Sequence, residues 1–319
     1  MSDLLKNLND VQRQAVLHKN GPVVVFAGAG SGKTRIITTR IAYLIASGGL
    51  PWEILAVTFT NKAAEEMRHR ALALTPDTKR SMITTFHSAS ARWLREFAGE
   101  LGYEPNFSIY DDQDVTRALK HILKQAMPKG EIPTLVGEMK TFLHYVKTAG
   151  VFVNEIDDFA AQNPLLVPTG GVPIYRLYQE FLAQSNAMDF NDLLLNVLLL
   201  LRRNERVKSI LSNRYQYLMV DEFQDTNRTQ FEIIQHLGDR HRNLMVVGDD
   251  DQSIYIWRGA TPSNIIDFDH TYPGATRIAL EENYRCTGNI VAAASKLVAH
   301  NKKRAAKTLF TNAPAGDAI

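Results

Sequence analysis

Eight consecutive residues, Ala27, Gly28, Ala29, Gly30, Ser31, Gly32, Lys33 and Thr34, are the part of this chain best suited to chemistry. They fit G-x-x-x-x-G-K-[ST] except at the first position, which holds Ala27, with Gly28 one step later. Small residues let backbone N–H groups wrap a phosphate at a helix N-terminus, where the helix dipole favours an anion. Lys33 would then reach the β- and γ-phosphates, and the Thr34 hydroxyl would ligate Mg²⁺. ATP with Mg²⁺ is the expected ligand. Asp221 and Glu222 form a second candidate group, two carboxylates at the end of the apolar run 215–220. Asp221 can hold Mg²⁺ directly or through water. Glu222 can take a proton from an attacking water or orient it.

These groups need elements that bring them together. Residues 22–27 read as a buried parallel strand ending in the glycine cluster, and 33–46 as the helix after it. Strands are expected again at 54–59 and 82–86, with helices at 61–74 and 88–101. The alternation predicts an α/β fold with a parallel sheet, and the carboxyl ends of such strands are where ligands bind. From about Tyr110 the pattern changes to helices at 111–127, 134–149 and 172–186 with no comparable strand run. Strands resume at 215–220, 243–247 and 277–280. One α/β domain is therefore expected, interrupted by a helical insertion at 110–188. The tail 306–319 carries no clear pattern.

Composition narrows the partners. In 319 residues, 36 Lys and Arg face 34 Asp and Glu, a net charge of +2. A nucleic-acid partner would have to be held by local patches or stacking platforms rather than a global positive field. The single cysteine, Cys286, allows no intrachain disulfide, and the first ten residues lack an apolar signal core, so a cytoplasmic location is expected. The greasiest run, LLLNVLLLL at 193–201, is far shorter than the roughly 20 residues a bilayer span needs. It reads as a buried helix, with acids before it and arginines after it as the dipole prefers.

Seven ordered motifs resemble superfamily 1A DNA helicases of the UvrD, Rep and PcrA type, over nearly the whole chain. They are Leu8-Asn9-Asp10-Val11-Gln12, the run Ala27 through Thr34, Thr58-Phe59-Thr60-Asn61-Lys62-Ala63-Ala64, Thr84-Thr85-Phe86-His87-Ser88, Asp221-Glu222-Phe223-Gln224-Asp225-Thr226-Asn227, GDDDQSIYIWRGA at 248–260, and Glu282-Asn283-Tyr284-Arg285. The resemblance implies a RecA-like P-loop NTPase domain, called 1A, at 1–109 and 189–282. A helical subdomain 1B would occupy 110–188. A linker at 283–319 would lead into a second RecA-like domain, 2A, whose later motifs these residues do not contain. It implies an ATP-dependent 3′–5′ DNA helicase or translocase. The partners would be single-stranded DNA and its junctions with duplex, without a membrane. A piece lacking 2A is expected to hydrolyse ATP slowly and not to unwind. The alternative is a nucleotide- and DNA-binding module without independent catalysis.

The same resemblance assigns roles. Gln12 corresponds to an adenine reader, its carboxamide matching the N6 and N7 edge. Arg35 and Tyr284 correspond to the pair that sandwiches the base. Gln252 corresponds to a γ-phosphate sensor. Arg285 corresponds to an arginine finger, the alternative being a salt bridge with Glu281 or Glu282. Phe59, Tyr255 and Trp257 correspond to DNA-stacking aromatics, the alternative being core packing. An extended segment would put Tyr255 and Trp257 on one face. Arg258 can add a phosphate contact, Thr85 and His87 would touch the DNA backbone, and Asn61 and Lys62 either contact phosphate or cap a helix. A different P-loop class is disfavoured by the aromatic pair following the sensor, and no feature reads an RNA 2′-hydroxyl.

Overall fold

The computed structural model describes residues 2–127 and 131–319, with the backbone alone for Ser2 and Arg258. Among the described residues eight strands form: β1 Val23–Ala27, β2 Ile54–Thr58, β3 Met82–Thr85, β4 Ser108–Tyr110, β5 Ala187–Asp189, β6 Tyr217–Val220, β7 Leu244–Gly248 and β8 Thr276–Leu280. Six of them make one sheet in the order β3-β2-β6-β7-β1-β8. Every pair is parallel, with Val25 opposite Val247, Val246 opposite Val220, and Val220 opposite Val57. Strands β1, β2 and β7 are buried at every residue. That suits a sheet covered on both faces, and it explains why these strands read as unbroken apolar runs. Because all six run the same way, all six carboxyl ends share one edge. Across that edge the chain leaves the sheet in the order Thr85, Thr58, Val220, Gly248, Ala27, Leu280.

The chain divides into two compact units. One holds residues up to 85 together with 210–226 and 237–319, and carries the six-stranded sheet; the other holds 86–209 and 227–236. The core of the first is built from Val23, Val25, Ile37, Ile41, Ala56, Met219, Met245 and Val247. Arg40 is buried within it and caps the end of the helix Asp10–Leu17, donating to the carbonyls of Ala15, Val16 and His18. Burial lowers its pKa to about 10.

The second unit is helical, with Asp112–Ala126, Ile132–Thr148 and Gly171–Gln184 close to expectation and a short helix, Ile156–Gln162, between the last two. It is wider than the expected 110–188. The helices Phe86–Glu96 and Phe190–Arg203 pack on each other and bring the flanking segments into it. Within it β4 pairs with β5, residues 108–110 against 187–189. Three-residue strands carry too little pattern to be read from sequence. The leucine run is the buried helix Phe190–Arg203, capped by Asp189, whose side chain accepts from the Asp192 N–H.

Residues 283–319 pack on the sheet unit. Glu282 bridges to Phe310, with Asn283 N–H donating to the Phe310 carbonyl at 2.7 Å and Phe310 N–H to the Glu281 carbonyl at 3.0 Å. Among the described residues no helix is long and apolar enough to cross a membrane.

Candidate nucleotide site and aromatic face

The loop after β1 turns its carbonyls inward. Ser31 N–H and its hydroxyl both donate to the Gly28 carbonyl, at 3.2 and 2.7 Å. Asn283 Nδ2 donates to the Ala29 carbonyl at 2.6 Å, Tyr284 N–H to that of Gly30 at 3.0 Å, and Gln12 Nε2 to that of Ser31 at 2.8 Å. The N–H groups of Gly30, Gly32, Lys33 and Thr34 have no protein partner among the described residues. They gather at the start of the helix Lys33–Ala46 and present the donors an anion needs. Glycine is required here. Gly30 and Gly32 have φ of 70° and 94°, and a Cβ at Gly32 would lie 2.8 Å from Gln12 Nε2.

Two strands away, β6 ends in Asp221-Glu222, and only β7 separates it from β1. Neighbouring strands lie about 4.8 Å apart, so a lysine from the β1 side can span the gap. It does: Lys33 Nζ donates to Glu222 Oε2 at 3.0 Å. Glu222 has φ 50° and ψ 44°, a left-handed conformation that costs a non-glycine residue on the order of 1 kcal/mol. Its N–H donates to Asp221 Oδ1 at 3.1 Å. Asp221 is buried, and its pKa rises to about 7 through burial and the Glu222 carboxylate, with Lys33 pulling the other way. Lys33 and both acids therefore converge on one place. A buried carboxyl short of positive charge, beside a cradle of open N–H donors, fits a phosphate–divalent-cation pair, with Thr34 at the first turn of the helix as the further oxygen. Asp225 is also buried; burial, then Glu222, pushes its carboxyl up to about 6.

The base-binding candidates lie beside this cradle. Tyr284 is half exposed, and its hydroxyl donates to Glu282 Oε2 at 2.6 Å and accepts from Asn9 Nδ2 at 2.8 Å. Burial and Glu282 raise the phenol's pKa, and Arg35 is near enough to act against that rise. Arg35 itself is exposed. Gln12 is 1% exposed, and both ends of its carboxamide are engaged: Oε1 accepts from Asn9 N–H at 3.2 Å while Nε2 donates to the Ser31 carbonyl at 2.8 Å. Arg285 is exposed and has no carboxylate partner among the described residues, since Glu281 and Glu282 accept from Thr308, Asn9, Tyr284 and Asn312. Cys286 is half-buried.

The loop after β7 lies between the two halves of the site. Gln252 donates to Asp249 Oδ2. Asp249, Asp250 and Asp251 surround a cation from the tail: Lys307 Nζ lies 2.9 Å from Asp249 and Asp251 and also pairs with Asp250, and its side chain is fully buried. Arg304 holds Asp251 from outside at 2.8 Å. Leu309 sits on the loop after β1, where a Cβ on Gly28 would meet its side chain at 2.2 Å. Nothing in the sequence near Lys307 or Leu309 signals these contacts, because their partners are remote in the chain.

Beyond that loop comes an aromatic group. Phe59, just past β2, stacks on Tyr255 with ring centroids 4.9 Å apart and 21° between planes. Tyr255 meets Trp257 at 6.4 Å and 51°. The segment is not extended as expected; Ile256–Arg258 forms a 3₁₀ turn. Trp257 is 70% exposed, as are Ile254 and Ile256 at 69% and 65%, so core packing is excluded for Trp257. The Arg258 side chain lies outside the described residues. Asn61 does not cap its helix; the Thr60 hydroxyl does, accepting from Ala63 N–H, and Asn61 Oδ1 accepts from the Thr85 hydroxyl at 3.4 Å. His87 belongs to the helical unit, where it stacks on half-exposed Phe190 at 4.2 Å. Burial lowers its pKa to about 4, so at neutral pH it offers a ring and not a charge to a phosphate.

Compared with known families, residues 8–273 match the UvrD/REP helicase N-terminal domain. The chain is 41% identical over 324 residues to the ATP-dependent DNA helicase PcrA of Staphylococcus epidermidis, covering 100% of this chain and 44% of that protein. It is 40% identical over 322 residues to the protein of the same name from Bacillus subtilis, covering 97% of this chain and 42% of that one. The Staphylococcus aureus counterpart is 40% identical over 324 residues. The chain thus spans less than half the length of these relatives. Family match, parallel sheet and converging Lys33, Asp221 and Glu222 agree: the chain belongs to the UvrD/REP helicase N-terminal domain family.

Proposed function

We propose that this chain is the ATP- and single-stranded-DNA-binding front portion of a 3′–5′ DNA helicase working in the cytoplasm on single strands and their junctions with duplex. The observation that carries the reading is the Lys33–Glu222 bond at 3.0 Å, with Asp221 in reach of the same cation. It is supported by the aromatic group that the neighbouring loop carries. A divalent metal held there would supply charge neutralisation at the phosphates. Thr34 and Asp221 are the residues that would hold it. The open N–H groups of Gly30, Gly32, Lys33 and Thr34 cradle phosphate oxygens. A phosphate competes with Glu222 for Lys33, and once displaced the Glu222 carboxylate is free to accept a proton from water or to orient it. Gln252 reports on the terminal phosphate and Arg285 stabilises it. Arg35 and Tyr284 flank the base, with Gln12 reading it. Phe59, Tyr255 and Trp257 stack bases of any identity, as sequence-independent binding requires. Asn61, Thr85 and Arg258 add backbone contacts, while His87 with Phe190 offers a stacking pair in the helical unit.

Steady-state ATP turnover with and without oligo-dT tests this. The expected result is measurable binding of ATP and oligo-dT with slow hydrolysis and no unwinding. Failure to bind either ligand would overturn the proposal. Fast, strongly DNA-stimulated turnover would overturn the part that assigns full catalysis to residues outside this chain.

A further inference from the structure

We infer that Gln224 is a positioning residue that ties Glu222 to the loop after β7 and so links nucleotide occupancy to the aromatic group; the inference rests on the function proposed above. Gln224 is 1% exposed, and both hydrogens of its amide go to carboxylates. Nε2 donates to Glu222 Oε2 at 2.9 Å and to Asp225 Oδ2 at 3.2 Å. Its Oε1 accepts from the Asp249 N–H at 3.0 Å, and its backbone carbonyl accepts from the Ser253 hydroxyl at 3.4 Å. One residue thus holds the acidic turn on one side and both ends of 249–253 on the other. Asp249 continues the path by accepting from Gln252, and Tyr255 follows Ser253 by two positions. A connected set of bonds runs Lys33, Glu222, Gln224, Asp249, Gln252.

The close approach is built into the strand. A Cβ at Gly248 would lie 2.3 Å from Gln224 Oε1 and 2.8 Å from the Ile265 side chain. Only glycine lets β7 end against this carboxamide. The linkage works because the carboxamide has no spare donors. When a phosphate draws Lys33 away, Glu222 keeps Gln224 as its remaining side-chain donor, and any shift of Glu222 pulls on the amide that also sets Asp249. Buried polar networks of this kind move as units, since breaking one bond leaves an unpaired group in a dry interior.

The test is a coupling cycle on the full chain. Affinity for fluorescent oligo-dT is measured with and without a non-hydrolysable ATP analogue, and affinity for the analogue with and without oligo-dT. In the wild type each ligand is expected to change the other's affinity by the same factor, typically about 5- to 150-fold. In Gln224→Met each ligand alone still binds while the factor falls toward one; a merely structural role would weaken binding or melting temperature and leave the factor intact. Ser253→Ala removes the other bond between Gln224 and this loop without crowding the interior and is expected to lower the factor in the same direction, so it decides the matter if Gln224→Met does not fold. An unchanged factor in either folded variant overturns the inference alone, as does a wild type that binds both ligands independently. A wild type that binds neither ligand overturns the proposed function and this inference with it.

Discussion

Replacing Lys307 with methionine should release the tail from the sheet unit. The side chain is fully buried among Asp249, Asp250 and Asp251, and the Asp249 and Asp250 side chains are themselves 4% and 0% exposed. Methionine keeps most of the volume and removes the charge. Breaking a buried pair by deleting one partner costs about 3–5 kcal/mol, because the other charge stays buried. Arg304 still holds Asp251, so the orphaned charges are those of Asp249 and Asp250. The segment has an escape. It is tied down by Ala305 N–H to Asp250, Thr308 N–H to Glu281, Phe310 N–H to the Glu281 carbonyl and Asn283 N–H to the Phe310 carbonyl. At about 1 kcal/mol per bond these total the same order as the electrostatic cost. The variant should therefore sit near the point where residues 305–310 detach while the sheet stays folded. The expected signs are a melting temperature lower by about 6–20 °C, as a unit of this size gives for 3–5 kcal/mol. Fast amide exchange at Asn283 and Phe310 should accompany it. Adding Asp250→Asn to Lys307→Met should return part of the loss, as contacting sites do in a double-mutant cycle. An unchanged melting temperature with full protection at both amides would refute the reasoning, since a buried lysine among three carboxylates cannot then be holding the segment.

Lys33→Ala should abolish binding of a fluorescent ATP analogue; retained affinity would count against the loop after β1 as the phosphate site. Trp257→Ala should weaken oligo-dT binding by about 5- to 150-fold, the equivalent of 1–3 kcal/mol for one stacked base, while ATP affinity is spared. Parallel loss of both would show the ring to be structural despite its exposure. His87 gives a pH dependence: its folded pKa of about 4 lies below the usual value of about 6.5, so the unfolded chain binds more protons between these values. Its contribution to stability is complete above about pH 6.5 and declines as pH falls toward 4. His87→Phe should flatten that part of the melting-temperature profile, and an unaltered profile would contradict the assignment.

What the sequence discloses and what it hides divide along a physical line. The glycine loop, the strand before it and the helix after it are contiguous, so their pattern is visible without tertiary information. The strand β4 is three residues long and gains meaning only against β5, far along the chain. Lys307 looks like any tail lysine until its partners, more than fifty residues earlier, close around it. Gln12 and Trp257 show two further limits of residue type. The carboxamide is already committed to Ser31 and Asn9, and the indole, usually a core residue, stands in solvent. The acidic pair is the sharpest case. Successive residues of a continuing strand point to opposite faces, so an Asp-Glu dipeptide alone predicts carboxylates turned away from each other. Both nevertheless act on Lys33, one through a direct bond and the other through its field. The left-handed backbone at Glu222, two residues past the end of β6, makes this possible by turning the second side chain back across β7. That turn has no signature in the residue type, since glutamate rarely takes it. The strain is supported by the bonds from Lys33 and Gln224 to the carboxylate it presents. The identity of the acids is therefore local information, and their convergence on one cation is a property of the fold.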